Sequence, residues 1–302
     1  MRALVTGAAG FVGSNLALEL SGEGHEVVAL DDFSVGDFKN LVGFKGDVVS
    51  ADVGDVDYWR NRVGKIDFVF HEAAITDTTV MDQNKMMRVN VEAFRSLLSW
   101  AGESGVKKLV YASSAGTYGD LPVPHKETLA PKPLNVYAFS KAVMETVAAK
   151  SKFPTVGLRY FNVYGPRERH KGKFASMIWQ LAQQMLGGKR PRIFEFGEQY
   201  RDFIYIKDVV RANILAAEGK ATGVFNVCTG RKATFNEMIE RLNETLGLRL
   251  KPEYFKNPYG FYQNETLGDP AAAAAGLKFK AEFDLEKGIR DYFKGRKVPV
   301  GV

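Results

Sequence analysis

Cysteine is almost missing from this chain: its 302 residues include one, Cys228. No intrachain disulfide can form, and no thiolate metal cluster can be built. Histidine is scarce too, four in all and none paired at helical spacing, so no metal site is expected. No apolar stretch approaches the ~20 residues a membrane helix needs, so no membrane partner is expected. Lys and Arg never form a block; they alternate with Asp and Glu. The formal charge of +6 is therefore a mild attraction for an anionic ligand, and no nucleic-acid partner is expected. The chain enters a strand pattern at once, without a cationic segment and apolar run, and a cytoplasmic, reducing location is expected. Apolar residues are 45% and charged ones 25%, which excludes a disordered chain. Cys228 reads as a small apolar core residue on a strand.

What is there is an alternation. Short apolar runs at 2–6, 26–30, 66–71, 107–112 and 155–160 read as strands. Helical segments fall between them at 12–22, 85–102 and 136–151. That order predicts parallel strands joined by crossover helices, an α/β doubly wound sheet. The stretch 165–173, dense in Pro, Arg, Lys and Gly, reads as a loop. Beyond it come helices at 174–187, 208–218, 234–246 and 284–294, with short strands at 192–196, 203–206 and 224–227. Ala271–Ala275 after Asp269-Pro270 reads as a helix start.

Residues 6–13, TGAAGFVG, join the first strand to the first helix. Gly7, Gly10 and Gly13 permit a tight turn, close approach of backbone to a pyrophosphate, and close helix–strand packing. The helix N-terminus then presents N–H groups and a positive dipole end to the phosphates. Asp31 stands 18 residues past Gly13, where a carboxylate can accept from ribose hydroxyls. With Asp32 beside it, a 2′-phosphate is repelled, so NAD is expected. NADP is the second choice, because Lys39 is close in the chain. Asp52 and Val53 are candidates for the adenine edge, with a helix cap as the alternative for Asp52.

Tyr137 and Lys141 lie four apart on a predicted helix and so share a face. A neighbouring ammonium and an oxidised nicotinamide both favour the phenolate, lowering the phenol from its ordinary value toward neutrality. Such a phenolate takes a proton from an alcohol while the alcohol carbon gives up hydride. Ser114, at the C-terminal end of the fourth strand, can share that proton.

Together TGAAGFVG, His71-Glu72-Ala73-Ala74, the serines of SSAGTYG (113–119), Tyr137/Lys141 and LRYFNVYGPR (158–167) resemble the extended short-chain dehydrogenase/reductase family. Its members are NAD(P)-dependent nucleotide-sugar epimerases and dehydratases. The resemblance implies a Rossmann-type dinucleotide-binding domain over 1–165. It implies a smaller mixed α/β substrate domain over 166–302, with the chain partly interleaved between the two. It implies cofactor contacts from Phe11, Val12, Ala73, Ala74 and Asn90. A nucleoside-diphosphate sugar is the expected substrate partner. Asn162, Phe194, Gly197, Arg201 and Tyr262 are the implied substrate contacts, Arg201 through a phosphate. A homodimer or higher homo-oligomer is a family expectation.

Within the family, His170-Lys171-Gly172, KPLNVY (132–137) and FYQN (261–264) are similar to the ADP-glycero-manno-heptose 6-epimerase group. In that group the lysine matching Lys171 is a second acid/base facing the tyrosine across the sugar. An epimerase needs one proton donor per sugar pose, which two bases supply. A phosphate contact or a solvated charge remain alternatives for Lys171. A UDP-hexose 4-epimerase is the alternative function. A dehydratase is disfavoured, because Ala115-Gly116 stand where elimination needs two acids. A non-catalytic dinucleotide-binding regulator is the remote alternative, since such a protein would lose the Tyr or the Lys.

Overall fold

The structure is a computed structural model that describes residues 1–256 and 265–295. Six strands come first: β1 (Arg2–Thr6), β2 (Glu26–Asp31), β3 (Asp47–Ser50), β4 (Phe68–His71), β5 (Lys108–Ser114) and β6 (Thr155–Tyr160). The second half adds β7 (Asn162–Tyr164), β8 (Arg192–Phe194), β9 (Tyr200–Arg201), β10 (Phe203–Tyr205), β11 (Gly223–Val227), β12 (Ala233–Thr234) and β13 (Glu253–Phe255).

Seven strands form one parallel sheet in the order β11-β6-β5-β4-β1-β2-β3. Strand order reverses between β1 and β4, and ligands bind outside the carboxyl ends of strands at such a switch point. Alternate residues of each strand feed opposite faces. Leu4, Val28, Val69 and Leu109 pack with Trp59, Phe94 and Leu97 on one side. Ala3, Val5, Val27, Phe70 and Val110 pack with Leu16 and Leu20 on the other, in a core that continues into Phe203, Ile239 and Ile289. The remaining pairs are short: β7 with β10, β9 with β12, and β8 with β13.

Several boundaries differ from expectation. The helix expected at 85–102 runs Gln83–Met87, a π turn Arg88–Glu92, then Ala93–Glu103. The helix expected at 174–187 is Met177–Leu186, because the Ser176 hydroxyl accepts from Trp179 N at 3.1 Å and starts it there. Ahead of it, Arg169–Phe174 make a 3₁₀ turn inside the expected loop. The strand expected at 192–196 ends at Phe194, since Glu195 takes φ 51°. Strand 224–227 is β11 of the central sheet, and Cys228, buried, follows it directly. β3 was not expected: the four residues DVVS show no alternation, and Val48 is half exposed on the sheet edge.

Candidate active site

The glycine loop fits a pyrophosphate. Gly7 sits at φ 66°, and a Cβ there would stand 2.6 Å from Ala73 N. A Cβ on Gly13 would stand 2.2 Å from Gly7 O. Neither position admits a side chain, so at both a ligand can approach the backbone itself. Among the described residues no side chain caps the helix Phe11–Gly22, and no acid stands in its first turn. Its first N–H groups can therefore receive an anion.

Asp31 ends β2 and is 7% exposed. Its two oxygens accept from Ala9 N and Phe33 N, both at 2.8 Å, so it ties the glycine loop to the turn after β2. Burial pushes its pKa up, against those two hydrogen bonds. Asp32 instead folds onto Ser34, N–H and hydroxyl, at 2.9 and 2.7 Å. Asp52 accepts from Gly54 N at 2.8 Å, and the N-cap position of the helix that follows is Asp55, whose side chain makes no capping bond, so Asp52 is not that helix's cap. The Val53 side chain belongs to the core and its carbonyl accepts from Trp59. Ala73 and Ala74 follow β4, with Ala73 N 3.4 Å from the Thr6 hydroxyl. Asn90 was expected at the cofactor. In the protein its Oδ1 accepts from Ile75 N at 2.8 Å, and its Nδ2 donates to Ile75 O and to the Ser140 hydroxyl. It clamps the loop after β4 to the helix that carries Tyr137 and Lys141.

That helix is Val136–Lys150, capped by Asn135, whose Oδ1 accepts from Ala138 N at 2.8 Å. Tyr137 and Lys141 share a face as expected, with the ammonium 5.9 Å from the ring centroid. Lys141 is 1% exposed and donates to Ala112 O on β5 at 2.8 Å. Burial pushes it down to about 8, with Glu72 and Glu145 working the other way. The Tyr137 phenol is not lowered in the protein alone. Burial pushes it up, the Ser114 hydroxyl pulls it down, and Glu72 raises it again. Ser114 also accepts from Gly116 N at 3.0 Å, which fixes its orientation at the end of β5. Behind them lies a buried brace. Glu145 takes Arg159 in two contacts of 2.8 and 2.6 Å and Ser113 in a third of 2.6 Å. Burial works to lower the Arg159 guanidinium, and Glu145 outweighs it.

Two residues of this cleft carried no expected role. Glu72 Oε1 accepts from the Tyr160 hydroxyl at 2.8 Å, and Tyr160 is the sheet partner of Ser114. The sequence signals for Glu72 were its position just after a strand and its place in the segment His71-Glu72-Ala73-Ala74.

Lys171 arrives on the 3₁₀ turn, its ammonium 5.5 Å from the centroid of the Phe11 ring at the mouth of the glycine loop. Burial pushes it down, with Glu168 opposing. The turn is pinned by Arg167 to Asn15 Oδ1 at 3.0 Å, and by the fully buried Glu168 carboxylate, which accepts from Gly165 N and the Ser176 hydroxyl. Asn40 donates to Ala9 O and lies 3.1 Å from His170 Nδ1, so the ribose loop and the Lys171 turn touch.

On the substrate side, Asn162 donates to Asp202 O and to the Thr266 hydroxyl. Phe194 packs edge-on to Phe255 at 4.8 Å. Gly197 sits at φ 75°, where a Cβ would meet Asn236 at 2.3 Å. Arg201 donates to Tyr200 O and stands 5.8 Å over the Phe235 ring. A cavity of about 300 Å³ opens beside Phe194, Phe196, Tyr200 and Glu265. Tyr262 lies outside the described residues.

Known proteins share this arrangement. Residues 3–228 match the model of the NAD dependent epimerase/dehydratase family. The ADP-L-glycero-D-manno-heptose-6-epimerase of Alkalilimnicola ehrlichii is 36% identical, over 96% of this chain and 95% of that one. The solved ADP-L-glycero-D-manno-heptose-6-epimerase of Helicobacter pylori superposes with a TM-score of 0.91 at 44% identity, covering 97% of this chain and 95% of that one. The UDP-glucose 4-epimerase of Thermotoga maritima, solved with UDP-glucose, does so with a TM-score of 0.89 at 32% identity, covering 97% and 98%. A glycine loop that admits no side chain at Gly7 or Gly13, Ser114 at the end of β5 with Tyr137 and Lys141 on the helix Val136–Lys150, and this match along nearly the whole length lead to one conclusion: the chain belongs to the NAD dependent epimerase/dehydratase family.

Proposed function

We propose that the protein is a cytoplasmic epimerase of an ADP-linked heptose, inverting the sugar carbon C6 by transient oxidation to a ketone. The observation that carries the substrate is identity: 44% and 36% to two heptose epimerases along nearly the full chain, against 32% to the 4-epimerase. The Lys171 turn adds to it, because a partly desolvated amine beside the glycine loop is poised for proton transfer.

Bound NAD, with NADP the second choice, supplies a hydride acceptor that returns the hydride and, when oxidised, a positive charge. Gly7, Gly10, Gly13, Phe11 and Val12 would hold its pyrophosphate through backbone, and Asp31 and Asp32 would take its ribose. Asp52, Val53, Ala73 and Ala74 line the remainder through backbone and loop. Tyr137, as phenolate, takes the proton of the sugar hydroxyl. Ser114 donates to the same oxygen and keeps it aligned. Lys141 holds positive charge beside the phenolate. After the ketone turns its other face, Lys171 gives the second pose its proton. Asn162, Phe194, Gly197, Arg201 and Tyr262 hold the nucleoside diphosphate. The substrate unit begins at 166, with 206–227 returning to the dinucleotide unit. A groove of about 660 Å³ between the helices carrying Leu98 and Val147 is the face through which a homo-oligomer pairs.

The test is incubation of pure protein with ADP-heptose, UDP-glucose and UDP-GlcNAc, with products read by NMR. The C6 epimer from ADP-heptose is expected. A 4-epimer from a UDP-sugar installs the alternative, which the Thermotoga neighbour favours. Net dehydration, or net NADH release with every sugar, ends the epimerase proposal. Tyr137→Phe is expected to lose about 10²–10⁴-fold in turnover and keep its dinucleotide; a regulator would lose nothing.

A further inference from the structure

Glu72 is a carboxyl of this cleft that the reaction above does not use. It follows β4 directly, and its N–H donates to Thr6 O at 3.2 Å, which places it at the switch point between β1 and β4. The Tyr160 hydroxyl donates to its Oε1 at 2.8 Å. That direction is fixed, because the same hydroxyl receives Asn213 Nδ2 at 2.8 Å while the amide's other hydrogen goes to Val209 O at 2.9 Å. Glu72 is thus oriented by a partly buried chain with one polarity.

A second observation concerns charge. The Lys141 ammonium is buried, and its acceptor, Ala112 O, is neutral. A buried ammonium needs a counter-charge or gives up its proton. Two carboxyls, Glu72 and Glu145, favour the charged form of Lys141 through space, neither of them as a direct ion pair. Glu145 is held by the Arg159 guanidinium in two contacts, so its charge is compensated locally. Glu72 touches Tyr160 of β6, and its charge acts through space on Tyr137 and Lys141 of the helix Val136–Lys150, with His71 beside it in the chain.

We propose that Glu72 is a positioning residue of the catalytic pair: it is the counter-ion that keeps Lys141 protonated, and through its charge it sets the pH window of Tyr137 and Lys141. This rests on the proton-abstracting role given to Tyr137 above. Burial pushes Glu72 up to about 7 while Lys141 comes down to about 8, so the two groups titrate as a pair around neutrality.

The experiment is the pH profile of kcat/KM for Glu72→Gln, Tyr160→Phe and Glu72→Asp, with NMR titration of ¹³C-labelled lysine in the protein without sugar. Removing the charge relaxes both groups. Lys141 loses its proton more readily and Tyr137 ionises more readily, so in E72Q both limbs move to lower pH, by about one unit. Y160F removes a hydrogen bond that favours the carboxylate, and moves them the same way by less. E72D keeps the charge and restores the limbs. In the titration, the lysine signal with a midpoint near 8 moves to lower pH in E72Q. Unmoved limbs with a uniform loss of kcat would mean a structural role and overturn the proposal, as would an unmoved lysine midpoint. A shifted midpoint in a protein that turns over no sugar upholds the pairing and rejects the function.

Discussion

His71 stands one residue from Glu72 and answers to burial in the opposite sense. It is 1% exposed, stacks on Phe94 at 5.5 Å and meets the Thr6 hydroxyl at 2.8 Å, while its Nε2 finds no partner among the described residues. Burial, with Lys141 adding to it, pushes the ring from 6.5 down to about 3. A depressed histidine contributes stability that is present above the unfolded value and is lost as pH falls toward the folded one. Glu72 works in reverse: its raised value contributes fully below 4.5 and is lost as pH rises through about 7. The two oppose each other between 6.5 and 4.5, and His71 acts without that opposition from 4.5 to 3. There it costs up to about 1.4 kcal/mol per pH unit. His71→Gln, which keeps a polar group for Thr6, should flatten the fall in Tm over that lower window. Equal slopes in variant and parent, measured by circular dichroism, would contradict this. In the sequence His71 is one of four histidines with nothing to mark it as neutral. Tyr137 and Lys141 were legible because their spacing is local. Glu72 was not, because the residues that shift its proton affinity, Lys141, Tyr137 and Tyr160, come from other elements.

Elements end where their unpaired backbone groups find partners. The helix Ile206–Glu218 finishes against Lys108, the first residue of β5, whose ammonium donates to Ala216 O at 3.1 Å, to Ala221 O at 3.2 Å and to Gly219 O. A cation at a helix C-terminus also meets the negative end of the dipole. Lys108→Met should lower stability by about 2 kcal/mol, seen in the denaturation midpoint. Turnover should persist, because Ser114 is at the opposite end of the same strand. An unchanged midpoint would show that water replaces the ammonium without loss. No periodicity points to this cap, since donor and acceptors are far apart in the chain. Local signals did better elsewhere: Asn135 opens the catalytic helix within a residue of expectation, and Asp269 Oδ1 accepts from Ala271 N at 2.9 Å where the alanine helix begins. The π turn at Arg88–Glu92 escaped because nothing in its residues differs from ordinary helix; it places Asn90 toward the loop after β4.

At the scale of the molecule, one core runs from Ala3 and Val5 to Ile289 and Phe293. β11 pairs with β6, and the helix before it packs on the helix Phe11–Gly22. Residues 1–165 alone would leave β6 as an open edge and strip the cover from one face of the sheet. That fragment should show no cooperative thermal transition and no dispersed amide spectrum, whereas the full chain should unfold as one unit. A folded, dispersed fragment would mean that the two halves are independent. The sequence alone determined the parallel sheet, the glycine loop, the Tyr137/Lys141 face and the family resemblance, because each is written in neighbours a few residues apart. Tertiary structure decided the rest. It brought Glu72 to Tyr160 and Lys171 to Phe11, joined the Asn90 amide to Ile75 and Ser140, and raised the Tyr137 phenol by burial. The reason is physical: the protonation state of a buried group depends on desolvation and on charges delivered by distant parts of the chain, and no local pattern records either.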